Sequence, residues 1–86
     1  MADAGDDLLE RMRRSKGGWR YNDLESVYIA NGFTIRHGKE AVAKHPRYPQ
    51  LRATFPKHGS LAKAYVVRAI KLIDELRRIE KERADQ

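Results

Sequence analysis

The chain contains no cysteine, which excludes both a disulfide framework and a thiolate zinc site. No apolar run approaches the roughly 20 residues that are needed to span a bilayer. Residues 1–10 hold acids and no base, which is unlike the basic start of a signal peptide. We therefore expect one small domain over residues 1–86, located in the cytoplasm and without membrane contact.

Acidic residues are scarce in the middle of the chain. The sequence has 18 Lys and Arg against 12 Asp and Glu, a net charge of +6. Between residues 36 and 63, Glu40 is the one acid, and the bases are Arg36, Lys39, Lys44, Arg47, Arg52, Lys57 and Lys63. Segregated positive charge on a small domain is typical of a surface that binds a polyanion. The alternative is a basic surface that serves solubility alone.

Two helices are predicted before this basic window. The first runs from about Asp6 to Ser15, and Gly17-Gly18 ends it. Its narrow apolar stripe consists of Leu8, Leu9 and Met12. That stripe either packs beside the last helix or forms an interface with a dimer partner or another protein.

The second helix has a start signal and a stop signal. Asn22 followed by Glu25 resembles a capping box, and Asn31-Gly32 favours a left-handed end. The predicted buried face consists of Leu24, Val27 and Tyr28.

Three short strands are predicted after Gly32. In the first, Phe33, Ile35 and His37 share one face. The second covers residues 41–45, and the third places Leu51, Ala53 and Phe55 on one face and ends at Pro56. Residues 46–50 hold two prolines and are predicted as a loop, because proline removes ladder donors.

The last helix has the clearest periodicity. Ser60 is predicted to cap it, and its apolar stripe comprises Tyr65, Ala69, Leu72, Leu76 and Ile79, flanked by Val66, Ile70 and Ile73. The predicted order is α-α-β-β-β-α, a two-layer α+β sandwich with a three-stranded antiparallel sheet. Residues 1–18 form the extra helix and its glycine stop, residues 19–79 the core, and residues 80–86 a charged tail.

Three segments, YNDLESVYIANGF, HGKEAVAKHP and LRATFPKHGSLAKAYVVRAIKLIDEL, make the chain resemble the HicA family of toxins. The resemblance covers roughly residues 19–78. It implies a double-stranded-RNA-binding-like fold, metal-independent mRNA cleavage without a cofactor, and a HicB-like antitoxin as partner, in a homo- or hetero-oligomer.

The sequence departs from this family where the family has its catalytic histidine. That histidine ends a Gly-Ser-His-like motif, which aligns here with Gly38-Lys39-Glu40. The resemblance therefore places catalysis at Glu40, with His45 as the second candidate. Glutamate is a weak base at neutral pH, and its charge opposes the approach of phosphate.

Three interpretations of Glu40 stay open. The glutamate is an introduced substitution that silences a toxic nuclease, or a natural residue that acts as the base, or the mark of a domain that binds RNA without cutting it. A protein-interaction adaptor with an acidic partner is a further alternative. For RNA contact the candidates are Arg36, Lys39, Lys44, Arg47, Arg52, Lys57 and His58.

The remaining histidines and aromatic residues allow structural interpretations as well. His37 fits the end of a strand better than a catalytic role, and His45 fits a structural role as well as a functional one. Tyr48, in a basic loop, is the candidate for stacking on bases, whereas Phe55 is predicted to lie in the core. Three histidines without clustered carboxylates predict no metal site.

Overall fold

The computed structural model describes residues 4–84. In it, a layer of helices covers one face of a small antiparallel sheet. Within that range the elements are α1 (Ala4–Arg14), α2 (Tyr21–Ala30), β1 (Thr34–His37), β2 (Ala41–Lys44), β3 (Arg52–Phe55) and α3 (Lys63–Ala84). The predicted order and the α+β class are confirmed. Residues 1–3 and the last two residues of the predicted tail lie outside the described range.

The strands lie in the order β1-β2-β3, and both pairs are antiparallel. Because residues paired across an antiparallel sheet share a face, the register sorts the side chains into two sets. The inner face carries the rows Ile35–Ala43–Ala53 and His37–Ala41–Phe55. The outer face carries the rows Thr34–Lys44–Arg52 and Arg36–Val42–Thr54.

The hydrophobic core lies between the inner face and the helices. Three large side chains there are fully or almost fully buried, namely Tyr28, Phe55 and Ile73. The rings of Tyr28 and Phe55 stack, with their centroids 5.6 Å apart. Leu9 and Met12 of α1 are also completely buried. Two of the three residues in the predicted stripe of α1 therefore pack inside this fold, and the third, Leu8, is half-buried.

The second helix starts earlier than predicted. Arg20 is extended, with φ −117° and ψ 171°, and α2 begins at Tyr21. The carboxylate of Asp23 accepts the backbone N–H of Arg20 at 3.0 Å, so the predicted box of Asn22 and Glu25 is wrong. The reason lies outside the helix, because Arg20 forms a β-bridge with Ser60, and this contact sets where the chain turns into α2.

The end of α2 follows the prediction. Gly32 has φ +89°, and the N–H of Phe33 returns to the carbonyl of Tyr28 at 3.0 Å. A residue with a side chain is disfavoured at this left-handed position. A Cβ at position 32 would also lie 3.3 Å from Nε2 of His45, so this tight end fixes where β1 starts.

The apolar stripe of α3 is confirmed, but its predicted cap is wrong. Six stripe residues are buried, namely Val66, Ala69, Ile70, Leu72, Ile73 and Leu76. Ser60 pairs with Arg20 instead of capping, Leu61 is buried, and the helix begins at Lys63. At its other end α3 continues through the predicted tail as far as Ala84.

An ion pair joins the first and last helices. Both guanidinium nitrogens of Arg13 donate to the carboxylate of Asp74, with Nη1 at 2.9 Å from Oδ2. The hydrogen bonds from Arg13 hold the pKa of Asp74 below its ordinary value, and the charge of Arg13 acts in the same direction. The pair therefore fastens α1 to α3 across 61 positions of sequence.

Candidate nucleic-acid interface

The outer face of the sheet gathers three of the predicted RNA-binding cations. Arg36 on β1, Lys44 on β2 and Arg52 on β3 all point away from the helices and are exposed. They surround a shallow depression of about 350 Å³ whose other lining residues are Thr34 and Val42. The alternation of each strand and the register together bring these positions into one patch, here called the outer-face patch.

The cations of the outer-face patch have no counter-charge among the described side chains. Among residues 4–84, no carboxylate lies within 4.0 Å of the side-chain nitrogens of Arg36, Lys44 or Arg52. A fourth cation reaches the same edge, since Arg68 of α3 donates to the carbonyl of Arg52 at 3.3 Å. Arg68 does not stand out in the sequence, because its helix carries charged residues on its whole solvent side.

Two of these cations face each other directly. Lys44 and Arg52 are register partners on adjacent strands. Like charges at directly opposite positions destabilise a sheet. The arrangement is therefore unfavourable in the free protein and favourable when an anion lies between the two side chains.

Glu40 lies in the turn between β1 and β2 and is exposed. Its carbonyl accepts the N–H of Gly38 at 3.2 Å. Within the described part of the chain, its carboxylate makes no hydrogen bond or ion pair. A base for the 2′-hydroxyl requires a partner acid and positive charge for the phosphate, and no described histidine side chain bonds to this carboxylate.

His45 is buried, with 5% of its surface exposed. Its Nδ1 accepts the backbone N–H of Arg47 at 3.1 Å, and its ring packs edge-on against Phe33 and beside Tyr48. These contacts orient the loop after β2. In this arrangement His45 has a structural role, and its buried ring has little access to an RNA phosphate.

The prediction that Tyr48 is available to stack on bases is wrong. Only 7% of Tyr48 is exposed, because its ring packs on His45 and under the guanidinium of Arg83, 5.9 Å from the ring centroid. Arg83 also donates to the Tyr48 hydroxyl at 3.4 Å. The prediction that Phe55 belongs to the core is confirmed, since it is 1% exposed.

His37 ends β1, as predicted, and its ring turns towards α2. Nδ1 lies 3.2 Å from the hydroxyl of Tyr21, and Nε2 lies 3.5 Å from Oε2 of Glu25. The Tyr21 hydroxyl donates to Glu25, and burial together with this bond raises the pKa of Tyr21 to about 12. Because both ring nitrogens face α2, His37 is held as a link between sheet and helix.

The other predicted RNA-binding residues lie away from the outer-face patch. Lys39 is exposed in the β1–β2 turn, and Arg47 is exposed in the loop between β2 and β3. Lys57 and His58 follow β3 and line a second depression, of about 290 Å³, whose other lining residues are Arg20, Tyr21, Asn22, Gly59 and Ser60. We call it the α2–β3 pocket.

The position of Arg20 in the α2–β3 pocket was not predicted. Arg20 precedes Lys57 by 37 positions, and the bridge between Arg20 and Ser60 is what brings the two segments together. The hydrophobic periodicity of one segment cannot predict a single β-bridge to a distant segment. Lys57 also donates to the carbonyl of Gly38 at 3.4 Å, which places the pocket at the sheet end where β1 turns into β2.

Within residues 4–84 no cluster of His, Asp or Glu is suited to holding a metal ion. None of the described helices is both long enough and apolar enough to cross a membrane. Comparisons of the chain with models of protein families, with curated proteins and with solved structures return no match.

Proposed function

We propose that this protein binds RNA. In this proposal the phosphates of the RNA backbone lie on the outer-face patch. The observation that carries the proposal is the set of three exposed cations, Arg36, Lys44 and Arg52, on an uncovered sheet face. Lysine and arginine that neutralise phosphates release condensed counterions, and this release drives binding. The repulsion between Lys44 and Arg52 adds support, because a bound phosphate removes it.

The chemistry of the patch favours contact with phosphates over recognition of bases. The side chains on the two outer-face rows are aliphatic, hydroxyl or cationic, and none is aromatic. With Tyr48 buried, the stacking that holds bases on single-stranded-RNA proteins has no ring on this face. Binding of this kind depends steeply on salt and weakly on base sequence.

The proposed activity is binding without cleavage. Glu40 stands where the HicA resemblance expects histidine, and its exposed carboxylate bonds to no described side chain that could serve as the acid. The second candidate is the toxin nuclease itself, with a HicB-like antitoxin as partner. It is favoured by one observation, namely that position 40 is in phase with Val42 and Lys44 and so borders the outer-face patch.

The test is a binding titration against a labelled single-stranded RNA over a range of salt concentrations. The triple variant Arg36→Gln, Lys44→Gln, Arg52→Gln should bind much more weakly. The slope of log K against log salt should become shallower by about 2, since each phosphate contact contributes about 0.7 on single strands. The same mixtures, run on a denaturing gel, should show RNA of unchanged length.

The matched control removes the same charge from the helical side. Arg14, Lys71 and Lys81 are exposed on α1 and α3, and their triple glutamine variant should keep the affinity and the salt slope. Equal losses in the two variants would mean that net charge alone drives binding, against the proposal. Shortened RNA with the unaltered protein would favour the nuclease.

A further inference from the structure

The α2–β3 pocket is lined by hydrogen-bond donors of several kinds. Arg20 contributes a guanidinium, Lys57 an ammonium and His58 an imidazole, while Ser60 and Asn22 add a hydroxyl and an amide. No carboxylate of the described residues lines the pocket. The neighbouring carboxylate of Asp23 is already engaged with the backbone N–H of Arg20 at 3.0 Å. The pocket is therefore suited to an anion.

The pocket is large enough for a phosphate group. Its volume of about 290 Å³ is close to the lower end of the range of about 300–1,000 Å³ found for sites that enclose drug-sized ligands. Arginine and lysine are the usual partners of phosphate oxygens, and the planar guanidinium can hold two of them at once.

The location of the pocket relates it to the outer-face patch. Lys57 reaches the carbonyl of Gly38, two residues beyond Arg36 on the chain. His58 lies four residues beyond Thr54 of the outer face, so the two Cα atoms are at most about 14 Å apart. An RNA strand that follows the sheet towards this end can place its terminal phosphate in the pocket.

We propose that the α2–β3 pocket binds the terminal phosphate of an RNA strand. A terminal monoester carries a charge of about −1.5 to −2 at neutral pH, whereas each internal diester carries one charge. The two cations Arg20 and Lys57, together with the imidazole of His58, match the terminal group better. This inference rests on the proposed function for the identity of the strand, whereas the pocket's preference for a phosphate monoester stands on its own lining.

The test compares RNAs of one sequence whose 5′ or 3′ end carries either a phosphate or a hydroxyl. A phosphate at one of the two ends should tighten binding about tenfold, as expected for charge-assisted hydrogen bonds. In the variant Arg20→Gln, His58→Asn that gain should disappear, so that phosphate-ended and hydroxyl-ended RNAs bind with equal affinity. The outer-face triple variant is the control, and it should weaken all the RNAs in parallel and keep the gain.

A second measurement separates the failure of this inference from failure of the proposed function. Adenosine monophosphate and adenosine are titrated into the protein while amide NMR signals are followed. The monophosphate should shift the signals of residues 57–60, and adenosine should leave them in place. If no RNA binds, the titration with adenosine monophosphate alone tests whether the pocket binds a phosphate monoester. Absence of both the end effect and the shift overturns the inference, as does an end effect that survives in the Arg20 and His58 variant.

Discussion

The side chain of Tyr28 shows how one residue combines a favourable ring with an unfavourable hydroxyl. Its ring lies between Phe33 and Phe55, with centroid distances of 5.0 Å and 5.6 Å. Its hydroxyl is buried without a hydrogen-bond partner among the described residues. Burial of the hydroxyl raises the pKa of Tyr28, and the charge of Arg68 offsets this only in part. The ring stabilises the core, while the unpaired hydroxyl costs free energy.

Tyr28→Phe should therefore stabilise the protein. Removing a buried hydroxyl that has no partner should raise the free energy of unfolding by about 1 kcal/mol, measured by urea denaturation. Tyr21→Phe is the matched control, because it removes a hydroxyl that is bonded to Glu25 and should bring no gain. A less stable Tyr28→Phe protein would show that its hydroxyl has a partner in solution.

Single residues were predicted well where burial follows periodicity and poorly where a distant segment decides it. Phe55 lies in phase with its strand, and its burial was predicted. Tyr48 lies in a loop with basic neighbours, so its sequence context indicated exposure. Its burial depends on His45 and on Arg83, which is 35 positions away. No local pattern contains that information.

Among the elements, the sheet carries a like-charge pair that lowers stability and would serve the proposed binding. The register places Lys44 beside Arg52, and this pairing weakens the contact between β2 and β3. A sheet selected for stability alone would carry a neutral β-branched residue at one of the two positions. Residues that lower stability while serving binding are common at functional surfaces.

Lys44→Thr should stabilise the fold and weaken RNA binding at the same time. The gain in the free energy of unfolding should be about 0.2–1 kcal/mol, since the substitution removes a like-charge pair and introduces a good strand former. Arg36→Thr is the control, because its register partner is the uncharged Val42. Chemical denaturation at low salt measures both. Equal gains in the two variants would argue against repulsion as the cause.

The bounds of the elements depended on contacts that sequence patterns do not carry. The stripe of α3 repeats over several turns, and six of its eight predicted residues are buried, whereas Tyr65 and Ile79 are half-buried. The start of α2 and the role of Ser60 were predicted wrongly for one shared reason. Arg20 and Ser60 bridge each other, and this pairing overrides the local capping signals on both sides.

At the scale of the whole molecule, the ion pair of Arg13 and Asp74 holds the first helix on the last. Its side chains are 31% and 49% exposed, so solvent screens the pair and its contribution is modest. Because the pKa of Asp74 is lower in the folded state, the stabilisation is complete above its ordinary value of 3.8. It is lost as the pH falls through the lower folded value.

Arg13→Gln should lower the free energy of unfolding at neutral pH by up to about 1 kcal/mol. Near pH 2 the difference from the unaltered protein should shrink, because Asp74 is then protonating in both states. Arg14→Gln is the control, since Arg14 is exposed on the same helix and should show no pH-dependent difference. Urea denaturation at both pH values gives the comparison, and a constant difference would contradict an electrostatic cause.

The layering of the molecule could be predicted, and about half of the candidate site with it. Arg36, Lys44 and Arg52 follow from strand alternation once the register is known. The α2–β3 pocket could not be predicted, because it joins segments that meet only in the folded chain. The same applies to Arg68, whose reach to the carbonyl of Arg52 depends on how α3 crosses β3.

The contact of Arg83 with Tyr48 has a mechanical consequence for the far end of the molecule. Beyond Ile79 the last turns of α3 bury little of their own surface, yet one of them covers a ring in the loop between β2 and β3. Fraying of that helix end would uncover the ring and loosen the loop. We therefore expect motion of the last turns of α3 to be coupled to motion of this loop.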